Sequence, residues 1–387
     1  MEVSNSNNCR HHVMVTGTTG ALGSSILSSL LEDLDVVRIY CLNRARDGKS
    51  AQIQSFHRHG IHHDIVQDSK VEFLQVDFAK KNFGLQPTDF SMLLSRVNRI
   101  IHNAWEVNWL APLSAFERTH IKGVRSMIDF SVQSEHHPPI FFISSITTVY
   151  RWPDRHATTV PESSIDDCTT PLEIGYAQSK YVSEQILKIA SYRCGLRCTV
   201  LRMGPIAGPT TAEGIWSPND IIPGIIATSI SLGKLPIFEG EAEKVNWVPL
   251  DTAGKIVSEI AAHQQRRADT ETFAVFNIVN PCSVPWSTVA SVIQEIYPVE
   301  MVSMDLWLSA LQQVGRQTQS ATQYPALKLI EPLRILLGSR RIPLMDIESK
   351  RAQTKSPTLD SLLPICRDDV LRWLKQWEFC PELVMYD

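Results

Sequence analysis

Apolar residues along the chain fall into short dense runs, separated by stretches where they recur every three or four positions. "HVMVT" (12–16) reads as a buried strand, and "ALGSSILSSLLEDL" (21–34) as the helix that follows it. "VVRIYCLN", "VEFLQVDF" and "VNRIIHNA" read as the second, third and fourth strands. A long helix over "APLSAFERTHIKGVRSMIDFSVQS" leads to a fifth strand, "PPIFFISS". "YAQSKYVSEQILKIASY" is helical, and "RCTVLRMG" is a sixth strand. Near-continuous apolar strands that alternate with helices predict a parallel sheet covered on both faces.

The pattern changes after Gly208. A polar, breaker-rich loop, "PTTAEGIWSPND", precedes a helix through "IIPGIIATSISL". "VNWVPLDTAGKIVSEIAAH" reads as a strand running into a helix, and "TFAVFNIVN" as a further sheet strand. From Pro281 onward the spacing is mostly helical. The expected architecture is an α/β doubly wound parallel sheet of the Rossmann type over 10–208 and 244–280. A smaller, mostly helical substrate lobe is expected over 209–243 and 281–387.

Composition narrows the function classes. The 387 residues are 43% hydrophobic and 20% charged, which is globular composition. A net charge of −4 lacks the basic balance of a nucleic-acid binder, so no nucleic-acid partner is expected. The apolar stretch "IIPGIIATSISLG" is broken by Pro223 and Gly224 and is too short to span a bilayer. The first residues, "MEVSNSNNCRHH", lack an apolar signal core. Eight scattered cysteines contain no C-x-x-C pair, and Cys194 and Cys198 have no nearby His to complete a metal site. Incidental thiols in a reducing compartment, a cytoplasmic location, no membrane partner and no metal are the expectations.

The first strand ends in "VMVTGTTGALGSS", with glycines at Gly17, Gly20 and Gly23 before a helix. In a dinucleotide fold the first glycine makes the tight turn. The second lets the backbone approach a pyrophosphate, and the third lets helix and sheet pack closely. The helix N-terminus adds unpaired N–H groups and a partial positive charge. A fold that prefers NAD carries an acid after the second strand. Here "CLNRARDGK" places Asn43 and Arg44 there, with Arg46 close behind and Asp47 further out. A guanidinium at that point suits a 2′-phosphate, so NADPH is the expected cofactor.

"GYAQSKY" puts Tyr176 and Lys180 four residues apart, on one face of the predicted helix. The preceding strand end, "FFISSITT", offers Ser144, Ser145 and Thr147 at the carboxyl edge of the sheet, where ligands bind in such folds. Hydride addition to a carbonyl builds charge on oxygen, which a phenol can meet with a proton. A nearby ammonium would lower the phenol from its ordinary value of about 10. A serine hydroxyl could hold the same oxygen.

Together "TGTTGALG", the serine-rich strand end, "YAQSK" and "LRMGPIAG" resemble the extended short-chain dehydrogenase/reductase family. "YCLNRA", "IIHNAWEVNW", "FERTHIKGVRSMIDFS" and "VNWVPLDTAGKIV" look like the thioester reductase domains that end fungal polyketide synthases and nonribosomal-peptide-synthetase-like enzymes. Carboxylic acid reductases carry a related domain. The resemblance covers Val13 to Ile260 well and the last hundred residues loosely.

That resemblance implies a phosphate loop of Gly17, Thr18, Thr19, Gly20, Leu22 and Gly23, with Arg44 on the 2′-phosphate. Asp77 would lie near the adenine, and Asn103 and Ala104 would line the cofactor groove. Pro205 and Ile206 would border the nicotinamide. Ser145, Tyr176 and Lys180 would be the catalytic triad, with Lys180 also bonding the ribose. Ser144 and Thr147 lie close enough in sequence to compete with Ser145, which is preferred by its register at the strand end. His120 stands where many extended members have asparagine and is given a structural role. His102 is read as a packed strand histidine. Trp105 and Trp109 line the substrate channel or belong to the core.

The implied activity is NADPH-dependent reductive release of an acyl or peptidyl thioester, carried on a phosphopantetheine arm, as an aldehyde or alcohol. The carrier protein would be the partner. Two competing readings are a free-standing reductase or epimerase acting on a small carbonyl or sugar nucleotide, and a non-catalytic NADP-binding regulator. The string G-x-x-x-x-G-K-[ST] is absent, so no ATP-dependent activation of a free acid is expected.

Overall fold

Seven strands form the central sheet: β1 (His11–Thr16), β2 (Val36–Asn43), β3 (Val71–Gln75), β4 (Arg99–His102), β5 (Ile140–Ser145), β6 (Cys198–Met203) and β7 (Phe273–Ile278). The structure is a computed structural model that describes residues 10–377, apart from 66–67, 155, 157, 219, 265–270, 318–322 and 338–342. Every neighbouring pair is parallel, in the order β7-β6-β5-β4-β1-β2-β3. Successive side chains point to opposite faces, which is why these strands are apolar at nearly every position. Val13, Val15, Phe141, Ile143 and Phe276 enter one core, and Met14, Tyr40, Phe142, Val200 and Val275 enter the other.

Helices α1 (Ala21–Glu32), α2 (Gly48–Arg58), α3 (Pro87–Arg96), α4 (Lys122–Gln133), α5 (Gly175–Cys194), α6 (Ile221–Leu232) and α7 (Leu250–Gln264) follow in chain order. The α1 and α7 backbones meet closely: a Cβ on Gly254 would lie 2.1 Å from the carbonyl carbon of Ser25. The Ser25 hydroxyl seals that crossing by donating to the Leu250 carbonyl (2.6 Å) and accepting from the Gly254 N–H (2.9 Å). On the opposite face α3, α4 and α5 contribute Leu93, Met127, Phe130 and Leu187. The chain runs outward from β1 to β3, then crosses back to lay β4 beside β1. The loops leaving β1 and β4 therefore open a crevice at the carboxyl edge, the place where doubly wound sheets bind ligands.

Two connecting helices, α2 and α3, are additional to those the apolar periodicity marks. The single helix expected from Ala111 to Ser134 is broken: a short turn at Leu113–Phe116 and a π-helical turn at Glu117–Ile121 precede α4. Such π turns insert an extra residue into the helical ladder and are frequent at functional sites.

The second lobe is built on α6, α8 (Trp286–Ile296), α9 (Met304–Gln317) and α10 (Arg367–Trp377), around Trp216, Trp247, Trp286, Trp307, Trp373 and Trp377. Buried indoles need acceptors. Trp286 donates to the Pro236 carbonyl (2.9 Å), Trp307 to Ser229 (3.0 Å), Trp373 to Pro209 (3.0 Å) and Trp377 to Trp216 (2.8 Å). The packing departs from the expected boundaries in two places. Val245 and Trp247 join the lobe core, whereas Ala352, Leu359 and Leu362 return to the sheet core. A buried Glu162 stitches that return segment down, accepting from the N–H groups of Asn277, Arg351 and Ala352. Among the described residues, no helix is long and apolar enough to cross a membrane.

Candidate active site

The glycine loop is shaped by close backbone contacts. Gly17 has φ +72°, and a Cβ there would lie 2.8 Å from the Ala104 Cα, so the turn presses against the loop leaving β4. A Cβ on Gly23 would fall 2.0 Å from the Gly17 carbonyl oxygen. Gly20 differs. It is exposed, and its added Cβ would meet only the Gly17 oxygen at 3.6 Å. Among the described residues, no close contact demands glycine there on steric grounds. Gly20 is also the N-cap of α1 and supplies no side-chain cap, so the first-turn N–H groups remain available. Thr18 is buried, and its hydroxyl accepts from Asn43 (2.8 Å). Thr19 is half-buried on the loop, and Leu22 packs into the sheet core.

Thr16, which sequence reading did not single out, joins the two loops of the crevice. Its hydroxyl oxygen accepts from the N–H groups of Asn103 (3.1 Å) and Ala104 (2.9 Å) and lies 2.9 Å from His102 Nδ1. Having accepted twice, the hydroxyl gives its own proton to Nδ1, which assigns the ring proton of His102 to Nε2. Asn103 Nδ2 donates to the Gly17 carbonyl (3.2 Å). His102 is buried, and burial together with the Lys180 charge pulls it down to about 3, so it stays neutral. That agrees with a packed strand histidine.

Arg44 follows β2 directly and is exposed. Its charge reaches inward to His120, whose ring burial and the nearby Lys180 pull down to about 4. Arg46 and Lys49 line a neighbouring cleft of about 270 Å³ with Asp47, Gly48 and Phe73–Gln75. Asp77, after β3, is half-buried and caps its own turn by accepting from the Ala79 N–H (3.0 Å). Pro205 and Ile206 follow β6. The Pro205 carbonyl accepts from Val248 (2.9 Å), and Ile206 pairs with Val248 in a two-residue ladder.

Strand alternation separates the two adjacent serines. Ser144 donates to Glu184 (2.5 Å), deep in the layer beneath the edge. Glu184 of α5 is ion-paired with Arg202 of β6 at 2.8 Å and also accepts from Thr148. Ser145 is at the strand end, where its oxygen accepts from the Thr147 hydroxyl (2.9 Å) and lies near enough to the Tyr176 phenol to favour its ionised form. Ser145, Thr147 and Tyr176 therefore form one cluster, while Ser144 is committed elsewhere. Tyr176 is half-buried, its ring stacked near Trp109 with centroids 6.2 Å apart.

Lys180, one turn along α5, is buried and donates to the Ile143 carbonyl (2.5 Å), with its ammonium 4.1 Å above the Trp105 ring. Burial pushes the amine well below its ordinary value, against an upward pull from Glu184. The expected lowering of the phenol by this ammonium is not what the structure has. Burial raises Tyr176, and only Ser145 opposes it. Among the described residues, no group of three His, Cys, Asp or Glu side chains could hold a metal ion.

A model of an NAD-binding family, described as the male sterility protein, matches residues 15–257. The chain belongs to that family. It is 35% identical over 375 residues to a carboxylic acid reductase of Neurospora crassa, covering 95% of this chain and 35% of that one. It thus spans about a third of the length of the curated relative. The terminal R domain of the myxalamid PKS-NRPS pathway has the same fold, with a TM-score of 0.78 at 20% identity, over 96% of this chain and 91% of that one. A thiolation-reductase di-domain from an archaeal nonribosomal peptide synthetase superposes with a TM-score of 0.73 at 18% identity, over 95% and 75%. The Rossmann architecture and the dinucleotide-binding crevice are thus those of this family, and its matched span ends within α7.

Proposed function

We propose that the chain is an NADPH-dependent thioester reductase that releases a carrier-bound acyl group as an aldehyde. Support comes from Tyr176 and Lys180 one turn apart on α5, with Lys180 bonded to the Ile143 carbonyl of the strand that ends in Ser145, in a chain of this family. The cofactor fits the residues present: an uncapped α1 N-terminus and an exposed Gly20 suit a pyrophosphate, and the exposed Arg44 suits a 2′-phosphate. Thr18 and Thr19 complete the loop, Gly17 and Gly23 shape it, and Asn103 and Ala104 form the groove wall. Asp77 flanks the adenine end, and Pro205 and Ile206 flank the nicotinamide end.

When bound, NADPH supplies the hydride that adds to the thioester carbonyl carbon. Tyr176, held neutral by burial, gives its proton to the carbonyl oxygen as charge builds there. Ser145 donates to the same oxygen and fixes its position. Lys180 would bond the ribose of the bound cofactor. Breaking the C–S bond of the resulting hemithioacetal yields the aldehyde and a free thiol. A thioester carbonyl is electrophilic and has a thiolate to lose, whereas a free carboxylate repels hydride.

The partner is an acyl or peptidyl carrier protein with a phosphopantetheine arm. Support comes from the third of a longer relative that the chain matches and from the thiolation-reductase di-domain of the same fold. Matched concentrations of free acid, acyl-pantetheine and acyl-carrier, incubated with NADPH and read by mass spectrometry, test the reading. Aldehyde from both thioesters and none from the acid is expected. A simple ketone reduced efficiently while the thioesters persist would replace it with a free-standing reductase.

A further inference from the structure

Lys180 is 2% exposed, and among the described residues no carboxylate lies within ion-pair distance of its ammonium. Glu184, the acid whose field reaches it, is engaged by Arg202, Ser144 and Thr148. A buried amine in that position gives up its proton unless something other than a counter-ion holds the charge. Two features do so here. One is the Ile143 carbonyl, and the other is aromatic: the ammonium lies 4.1 Å from the Trp105 ring centroid and 4.8 Å from that of Phe142. Indole is the strongest of the aromatic faces for a cation, and the attraction grows when the pair is withdrawn from water.

The indole is itself fixed in place. Its Nε1–H donates to Ser179 (3.3 Å), whose hydroxyl donates to the Tyr176 carbonyl (2.7 Å). His120, on the π-helical turn, packs against the same ring with centroids 4.8 Å apart, and Phe142 meets it edge-on at 5.4 Å. Trp105 thus ties the β4 loop to the turn of α5 that carries Tyr176 and Lys180.

We propose that Trp105 is a positioning residue for Lys180: the face of its indole holds the ammonium charged and in place. The titratable groups facing Lys180 from each packed element fit this role. His102 of β4 and His120 of the π turn are both held neutral, so neither adds a positive charge to the site. Arg44 and Glu106 act on His120 with opposite signs. Tyr176, on the same helix as Lys180, is kept as the phenol by burial. Arg202 is neutralised by Glu184. Besides the Ile143 carbonyl, the π face is then the contribution to the charged amine that comes from no group already paired with another cation.

The test reads Lys180 itself in the free protein and does not depend on the thioester reading. The Lys180 13Cε resonance, assigned by its loss in Lys180→Arg, is titrated in wild type, Trp105→Phe and Trp105→Leu. Both variants lose the Nε1–Ser179 bond, but only Trp105→Leu loses the aromatic face. The Lys180 titration should move down by about one pH unit in Trp105→Leu, equivalent to about 1.4 kcal/mol. In Trp105→Phe it should move down by less than half of that. An unchanged titration in both variants, or equal shifts in both, would overturn the proposal in favour of simple packing. If Trp105→Leu does not fold, the Phe variant alone decides: a small downward shift supports the role, and no shift removes it.

Discussion

Arg202 Nη2 lies 2.8 Å from Glu184 Oε2, and both side chains are withdrawn from solvent. The pair pins α5, which carries Tyr176 and Lys180, to β6 from beneath. Breaking a buried pair by removing one partner leaves an uncompensated charge and costs about 3–5 kcal/mol. Glu184→Ala should lose that much stability in denaturant unfolding, and the Glu184→Leu, Arg202→Met double variant should recover part of it. A loss below about 1 kcal/mol for Glu184→Ala would show that the pair does not anchor the helix.

Ser144 and Ser145 should separate cleanly in kcat. Ser145→Ala removes a donor to the carbonyl oxygen and should lower kcat by about 10²–10³, as loss of one oxyanion donor does. Its stability should also fall, by about 1–3 kcal/mol, because the buried Thr147 loses its acceptor. Ser144→Ala leaves Glu184 short of a hydrogen bond and should cost about 1–3 kcal/mol of stability, with little effect on kcat. The reverse pattern would make Ser144 the catalytic hydroxyl.

Gly175 precedes Tyr176, and a Cβ there would come 2.4 Å from the Ala111 carbonyl oxygen and 2.5 Å from the Leu113 nitrogen. These are backbone atoms and cannot swing aside. Gly175→Ala should displace Tyr176 and lower kcat by about 10²-fold, as small misplacements of reacting groups do. The NADPH dissociation constant should change little, because the phosphate loop is elsewhere. Wild-type turnover in this variant would contradict the tight contact.

The sheet strands, the glycine loop and the Tyr176–Lys180 pair were legible because each leaves a local signature: an apolar run, a spaced set of glycines, two residues one turn apart. α2 leaves almost none. It buries Gly48, Gln52, Ser55 and Phe56, so its polar sequence has no clear apolar stripe, although Asp47 caps it by accepting from Ser50 (2.9 Å). The Thr16 hub depends on β1 lying beside β4, a pairing across 86 residues that no local pattern encodes. Arg202 left a usable sign, a single charge inside the apolar run "TVLRM" that calls for a buried acid. The role of Trp105 could not be read in advance, since its contact with Lys180 arises only when α5 packs against the β4 loop.

Arg44→Ala should weaken NADPH binding by about 10–100-fold, the worth of a hydrogen bond to a charged group, and leave NADH binding nearly unchanged. Fluorescence titration with both cofactors checks this. Equal weakening would take Arg44 off the 2′-phosphate and turn attention to Arg46 and Lys49.

Glu162 provides a pH-dependent contribution to stability. Burial holds its carboxyl up at about 7, against an ordinary 4.5, despite three backbone donors. Between those values the folded chain binds the proton more tightly than the unfolded chain. The contribution is therefore fully present below about 4.5 and is lost as the pH rises through about 7. Melting temperatures of wild type and Glu162→Gln, compared from pH 5 to pH 8, should show the wild type losing ground steadily. A constant difference across that range would mean that Glu162 does not titrate there.

Hydride transfer to a thioester carbonyl is tested most directly by following the hydrogen. The chain is given an acyl-pantetheine thioester with NADPH carrying deuterium at nicotinamide C4, each face labelled in turn, and the aldehyde is read by mass spectrometry. The account predicts one deuterium at the aldehyde carbon from one face only, with one thiol released per NADPH consumed, and no label transfer by Tyr176→Phe. Aldehyde without deuterium from either face, or label transferred at the wild-type rate by Tyr176→Phe, would contradict it.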